Sequence, residues 1–192
     1  FVEYVYLVQL KIICLVQARM NSKRLPGKVM KEILGKPILW HLVQRLKHCK
    51  NLDEVVISTG SYKNNKEIHE FTKKFKIPLF SGSEGDVIDR IYQTAKTFDA
   101  TIVVRITADC PFMDPKILDE MISIFIENLV KYDILVNNKP PTFPHGLDAE
   151  IYSFQTLDIL WNSIKKPELR EWFPLFIEKN SELFRIHNFS NN

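Results

Sequence analysis

The chain alternates short apolar runs, rich in β-branched residues, with longer segments of helical period, and each run breaks off into a polar or glycine-containing loop. Residues 11–18 (KIICLVQA), 54–60 (EVVISTG), 77–80 (IPLF) and 101–107 (TIVVRIT) are such runs. Apolar stretches without strict alternation are the pattern of strands buried on both faces. Further strands are predicted over 133–137, 149–152 and 183–189, the last alternating like an edge strand. Between them, Pro37 opens a helix with Ile38, Leu39, Leu42, Val43 and Leu46 on one stripe, and 65–75 reads as a helix with Ile68, Phe71 and Phe75 inward. Asp86 caps a helix carrying Val87, Ile88, Ile91, Tyr92 and Ala95. Asp114-Pro115 supplies a cap and a first-turn proline for a helix through Leu129, and Ser153 caps one through Ile164. Pro174 is expected to kink or end a helix that begins near Glu168. Strands alternating with helices predict an α/β fold, a mostly parallel sheet with helices on both faces.

At 192 residues, with no linker, repeat or low-complexity stretch, the chain is expected to form one domain over 1–192, with 1–10 as an extra N-terminal segment. Residues 1–18 are apolar, but Glu3, Gln9, Lys11 and Gln17 interrupt them, too often for a membrane span of ~20 residues. No basic region precedes that run, so a signal peptide is not expected either. Cys14, Cys49 and Cys110 are odd in number and lack paired spacing, which argues against a disulfide framework and points to a reducing, cytoplasmic setting.

Charge is concentrated. Between Arg19 and Lys50 nine basic residues stand against Glu32 alone, although the whole chain carries only +3. Such asymmetry suits a localised anionic ligand better than a general polyanion, and no aromatic stacking set accompanies it, so nucleic acid is not an expected partner.

Ligands of open α/β sheets sit outside the C-terminal ends of the strands, and three polar clusters fall at predicted strand ends. The first, Gln17-Ala18-Arg19 through Ser22-Lys23-Arg24-Leu25-Pro26-Gly27-Lys28, places four cations, a hydroxyl and a glycine in one loop. That chemistry suits a polyphosphate. The loop is neither a Walker loop nor a dinucleotide fingerprint, and a solvated basic loop accounts for it equally well. The second, Thr107-Ala108-Asp109-Cys110-Pro111, projects a carboxylate suited to Mg²⁺ or, alternatively, to a helix cap or turn. The third, His145-Gly146-Leu147-Asp148-Ala149-Glu150, puts Asp148 and Glu150 on one face of a strand, either as a second metal ligand and substrate contact or as outward acids of an edge strand. A zinc site lacks a fourth ligand at sensible spacing.

The runs LVQARMNSKRLPGKVMKEILGKPILWH, VVISTG, IPLFSGSEGDVIDRIYQTA, VVRITADCPFMDP and FPHGLDAEIYSF, in that order, strongly resemble the cytidylyltransferase family. That family joins acylneuraminate and KDO cytidylyltransferases with the spore coat polysaccharide biosynthesis type, which is the most similar, and the likeness covers about residues 11–190. It implies a Rossmann-like fold of the nucleotide-diphospho-sugar transferase kind. It also implies Mg²⁺-dependent transfer of CMP from CTP to a sugar or sugar-acid acceptor, with release of pyrophosphate. By motif match, Arg19, Ser22, Arg24 and Lys28 would hold the triphosphate, and Arg19, Arg24, Lys28 and Asp109 would be the catalytic group. Leu15, Gln17, Ala18, Ser81, Gly82 and Ser83 would surround base and ribose. Asp109, with Asp148, would bind Mg²⁺; Arg105, His145, Asp148 and Glu150 would face the acceptor. A homodimer contact near Trp172 is a further implication.

Three positions depart from the family pattern. His145 stands where many relatives have a carboxylate, and Arg170-Glu171-Trp172-Phe173-Pro174-Leu175 replaces R-E-H-V-T-P. The family's V-D-x-P-E-D segment does not follow before Asn192. A fragment, a shorter enzyme, a non-catalytic nucleotide-binding relative and a nucleotide-sugar glycosyltransferase of related fold remain the alternatives at this point.

Overall fold

A computed structural model of the chain describes residues 10–22 and 24–191. The apolar run before Leu10, and Lys23 of the basic loop, lie outside the described residues. Strand β1 (Ile12–Gln17) leads through the basic loop and a 3₁₀ turn at Lys28–Met30 to the short strands β2 (Glu32–Ile33) and β3 (Lys36–Pro37). Then come α1 (Ile38–Leu46), β4 (Glu54–Thr59), α2 (Tyr62–Phe75), β5 (Leu79–Ser81), α3 (Val87–Thr97), β6 (Ile102–Thr107) and α4 (Pro115–Glu127). The chain continues through β7 (Ile134–Val136), β8 (Glu150–Ser153), α5 (Phe154–Ser163), α6 (Pro167–Glu171), α7 (Phe173–Lys179) and β9 (Ile186–Asn188).

Seven strands form one sheet in the order β5-β4-β1-β6-β8-β7-β9. Only β8 runs against its neighbours, pairing antiparallel with both β6 and β7. The period of two sorts the core into two layers. Cys14, Val16, Val104 and Ile106 face Leu39, Leu42, Phe71, Leu118 and Met121 of α1, α2 and α4. Ile13, Leu15, Val103 and Tyr152 face Ile88, Ile91, Leu157, Leu160 and Phe173 of α3, α5 and α7. With both faces covered, the central strands have no polar side to show, which is why their sequences read as unbroken apolar runs. Among the described residues no helix is long and apolar enough to cross a membrane.

The expected caps form. Asp86 accepts from the Asp89 N–H, Asp114 from Lys116 and Ser153 from Thr156. Three local expectations need correction, and one hairpin was not foreseen. Helix α2 begins at Tyr62, before Asn65, whose own backbone (φ −132°, ψ 31°) interrupts the helical turn. Strand β5 starts at Leu79, two residues later than read, beyond the donorless Pro78. Pro174 neither kinks nor ends a helix: α6 stops at Glu171, and Pro174 sits in the first turn of α7, where its missing N–H costs no bond. Finally, β2 and β3 make a hairpin whose turn, Leu34-Gly35, has φ of 51° and 72°. Two-residue strands carry no alternation for a reader to find.

Candidate active site

Because β8 runs antiparallel to β6, its start meets the end of β6, with Glu150 directly opposite Arg105. Gln17 at the end of β1 lies opposite Thr107 at the end of β6. All three sequence clusters therefore lie at the same end of the central strands β1, β6 and β8.

The basic loop is folded on its own backbone. The Met20 carbonyl accepts from the N–H groups of Ser22 and Gly27, both at 2.9 Å, and Gly27 takes φ 68° to enter the 3₁₀ turn. The Ser22 hydroxyl accepts from the Leu25 N–H at 3.4 Å. Met20 N–H in turn donates to Asn65 Oδ1 at 3.0 Å. That turn carries Lys28 onto Asp109, and the ammonium and carboxylate form a close ion pair. Burial pushes the Asp109 carboxyl up, but hydrogen bonds from Lys28 and Thr107 outweigh it and hold the group below the ordinary carboxylate range. Arg19 is exposed and lies 3.5 Å from Glu171. Arg24 is exposed, with no hydrogen bond or ion pair among the described residues.

Half-buried Asp148 lies near this centre: burial pushes the Cys110 thiol up, a hydrogen bond with Thr107 opposes it, and the Asp109 and Asp148 charges add to the rise. His145 is exposed in the turn before it and joins no ligand cluster. Arg105 and Glu150 are paired at 2.6 Å with only 12% and 11% of their side chains exposed. Arg105 also donates to Gln17 Oε1, and Tyr152 donates to Glu150.

The loop after β5 closes the far side. Ser81 donates to the Gly60 carbonyl at 2.8 Å, Gly82 N–H to Thr59 O at 3.0 Å, and Ser83 Oγ accepts from Asp86 N–H. Beneath it Arg90, only 2% exposed, donates to the carbonyls of Ser83 and Glu84. Glu84 Oε1 accepts from Asn65 Nδ2 at 2.7 Å, and a Cβ on Gly60 would stand 2.0 Å from that same oxygen. One chain of bonds thus ties the basic loop, the start of α2 and the loop after β5 together through Asn65 and Glu84. Sequence reasoning missed Asn65, Glu84 and Arg90 as parts of this support. Their only signal was polarity within segments read as helix or turn.

Among the described residues no group of three His, Cys, Asp or Glu side chains could hold a metal unaided. Mg²⁺ does not require one: it binds through one or two carboxylates and completes its shell with water and substrate phosphates. Asp109 and Asp148 are hard oxygen donors of the kind that ion takes, and Lys28 of the basic loop already stands on Asp109.

A model of the cytidylyltransferase family matches residues 13–164. The chain is a member of that family. A solved cytidylyltransferase from Leptospira borgpetersenii superposes with a TM-score of 0.91 at 36% identity, covering 96% of this chain and 77% of that one. The spore coat polysaccharide biosynthesis protein SpsF of Bacillus subtilis is 29% identical over 91% of this chain and 73% of its own length. The 3-deoxy-manno-octulosonate cytidylyltransferase of Nitratidesulfovibrio vulgaris is 31% identical over 61% of this chain; the match spans 47% of that protein. The structure of a CMP:2-keto-3-deoxy-manno-octonic acid synthetase complexed with CTP has a TM-score of 0.76 at 16% identity, a likeness of fold. As a cytidylyltransferase, the chain has the expected nucleotide-diphospho-sugar transferase-like architecture, with β8 as the antiparallel member of a mostly parallel sheet.

Proposed function

We propose that this cytidylyltransferase transfers CMP from CTP to a sugar or sugar-acid acceptor, releasing pyrophosphate and making an activated sugar for a surface polysaccharide or glycan. The observation that carries the reading is the Lys28–Asp109 pair, which joins the basic loop to the strand-end carboxylate. Family membership and the names of the SpsF and octulosonate relatives support the choice of nucleotide and acceptor class.

In this reading Arg19, Ser22, Arg24 and Lys28 bind the triphosphate, and Leu15, Gln17 and Ala18 with Ser81–Ser83 enclose base and ribose. An acceptor oxygen attacks the α-phosphorus; the new P–O bond forms as the bond to the β-phosphate oxygen breaks. Negative charge grows on the departing pyrophosphate, and preorganised cations placed there in advance lower the barrier. Asp109 and Asp148 would hold Mg²⁺, which when bound neutralises charge on phosphate oxygens. Lys28, already set on Asp109, orients that carboxylate and stands beside the triphosphate. His145 and Asp148 line the acceptor side.

Calorimetric titration with each of the four nucleoside triphosphates, with and without Mg²⁺, tests the reading, together with pyrophosphate release over a panel of sugar-acid acceptors. CTP is expected to bind in a Mg²⁺-dependent way, and Arg24→Ala to lower turnover by about 10²–10³ with the melting midpoint unchanged. Absence of Mg²⁺-dependent CTP binding would overturn it.

A further inference from the structure

At the end of β1, Gln17 is held by a side chain that can only donate. Arg105 Nε and Nη2 lie 3.1 and 2.9 Å from Gln17 Oε1. A guanidinium has five N–H bonds and no acceptor, so the amide oxygen must face it whichever way the amide group is drawn. The amide nitrogen is then forced to the opposite side. Its two N–H bonds have no acceptor among the hydrogen bonds of the described residues.

Arg105 is itself immobilised. Nη1 donates to Glu150 Oε2 at 2.6 Å, Tyr152 Oη donates to the same oxygen at 2.6 Å, and the guanidinium carbon lies 5.0 Å from the centre of the Phe173 ring. Phe173 is fully buried, one of the apolar residues that depart from the family's R-E-H-V-T-P pattern. Glu150 already answers the charge of Arg105, so neutralising that cation does not require a second partner at position 17. An amide there does something a carboxylate would not: it accepts from Arg105 with one end and offers donors with the other.

We infer that Gln17 is a substrate-reading residue whose N–H pair binds an electron-rich oxygen of a bound substrate, and that Arg105 and Glu150 are positioning residues behind it rather than acceptor contacts. The inference rests on the transferase reading above and deepens it. The oxygen belongs either to the nucleotide, as a base carbonyl or phosphate oxygen, or to the acceptor, as a carboxylate or hydroxyl. The next residue but one is Arg19, so the donors stand in a region already favourable to negative oxygen.

Gln17→Glu isolates the donor face. A glutamate accepts the same two bonds from Arg105, so the melting midpoint is expected to hold or rise. Substrate binding is expected to weaken by about tenfold or more, because a donor is replaced by a repelling oxygen. Calorimetry with CTP and Mg²⁺ but no acceptor reads the nucleotide source; the acceptor KM at saturating CTP reads the other. The double variant Arg105→Met/Glu150→Leu removes the clamp while keeping the interior filled, and it is expected to weaken the same arm by about threefold, with kcat little changed. Parent-like CTP affinity and acceptor KM in Gln17→Glu, with the parent active, would overturn this inference and leave the transferase reading standing. A double variant with both constants unchanged would remove the positioning role. A parent chain that binds no triphosphate would overturn both.

Discussion

Glu150→Ala is the perturbation whose size the structure specifies best. The carboxylate accepts from Arg105 and Tyr152 at 2.6 Å each, and the side chains of the ion pair are 12% and 11% exposed. Burial and the neighbouring Glu150 carboxylate keep the Tyr152 hydroxyl well above its ordinary pKa, so it stays a donor that needs an acceptor. Truncation would strand both a buried cation and a buried hydroxyl. Breaking one partner of a buried pair costs about 3–5 kcal/mol, far more than the ~0–1 kcal/mol of an exposed pair. For a chain of this size 1 kcal/mol moves the melting midpoint by about 2–4 °C, so a fall of about 6–20 °C is expected. Circular dichroism melts and urea titrations measure it. Arg105→Met/Glu150→Leu removes both charges but still leaves the buried Tyr152 hydroxyl without its acceptor, so it should lie about 1–3 kcal/mol below the parent, less than the sum of the singles and so a favourable coupling in the double-mutant cycle. A single variant that loses less than about 1 kcal/mol, or a double that loses the sum of the singles, would refute the buried-pair argument.

Asp109 has a depressed pKa in the folded chain, so its stabilisation is present above the ordinary carboxylate value near ~3.9 and disappears as pH falls through the lower folded value. Its side chain is 41% exposed, which limits the effect to about 1 kcal/mol or less. The unfolding free-energy difference between parent and Asp109→Asn should therefore shrink on acidification; a difference that grows would contradict the sign. All three cysteines are buried and protonated at neutral pH: burial pushes Cys14 and Cys110 up and takes Cys49 to about 12. A thiolate-directed reagent should label none of them rapidly in the native chain and all three in denaturant; stoichiometric labelling before unfolding would show otherwise. Gly60→Ala pushes a Cβ into the Glu84 carboxylate and breaks its bond to Asn65, at an expected cost of about 1–3 kcal/mol in urea titration. A parent-like midpoint would mean that Glu84 relocates freely.

Much of the architecture was legible because its signals are local. Asp86, Asp114 and Ser153 cap the helices they precede, since a cap bond spans only two or three residues. The burial of β1 and β6 follows from their apolar runs. The Leu34-Gly35 hairpin and the early start of α2 were not legible: the hairpin strands are too short for a period, and Asn65 leaves helical geometry in order to hold Met20 and Glu84. The same holds in the site. Clusters near Arg19, Asp109 and Asp148 stood out by composition, whereas Arg90 and Glu84 matter through partners distant in sequence.

Residue order alone determined the longer strands, the helices with side-chain caps and the three polar loops, because backbone bonding and side-chain period act over a few neighbours. Only the folded sheet decided that β8 enters antiparallel beside β6, and so that Glu150 takes Arg105 while Lys28 takes Asp109. Strand partners are chosen by burying two faces at once, a long-range condition that no short window of sequence contains.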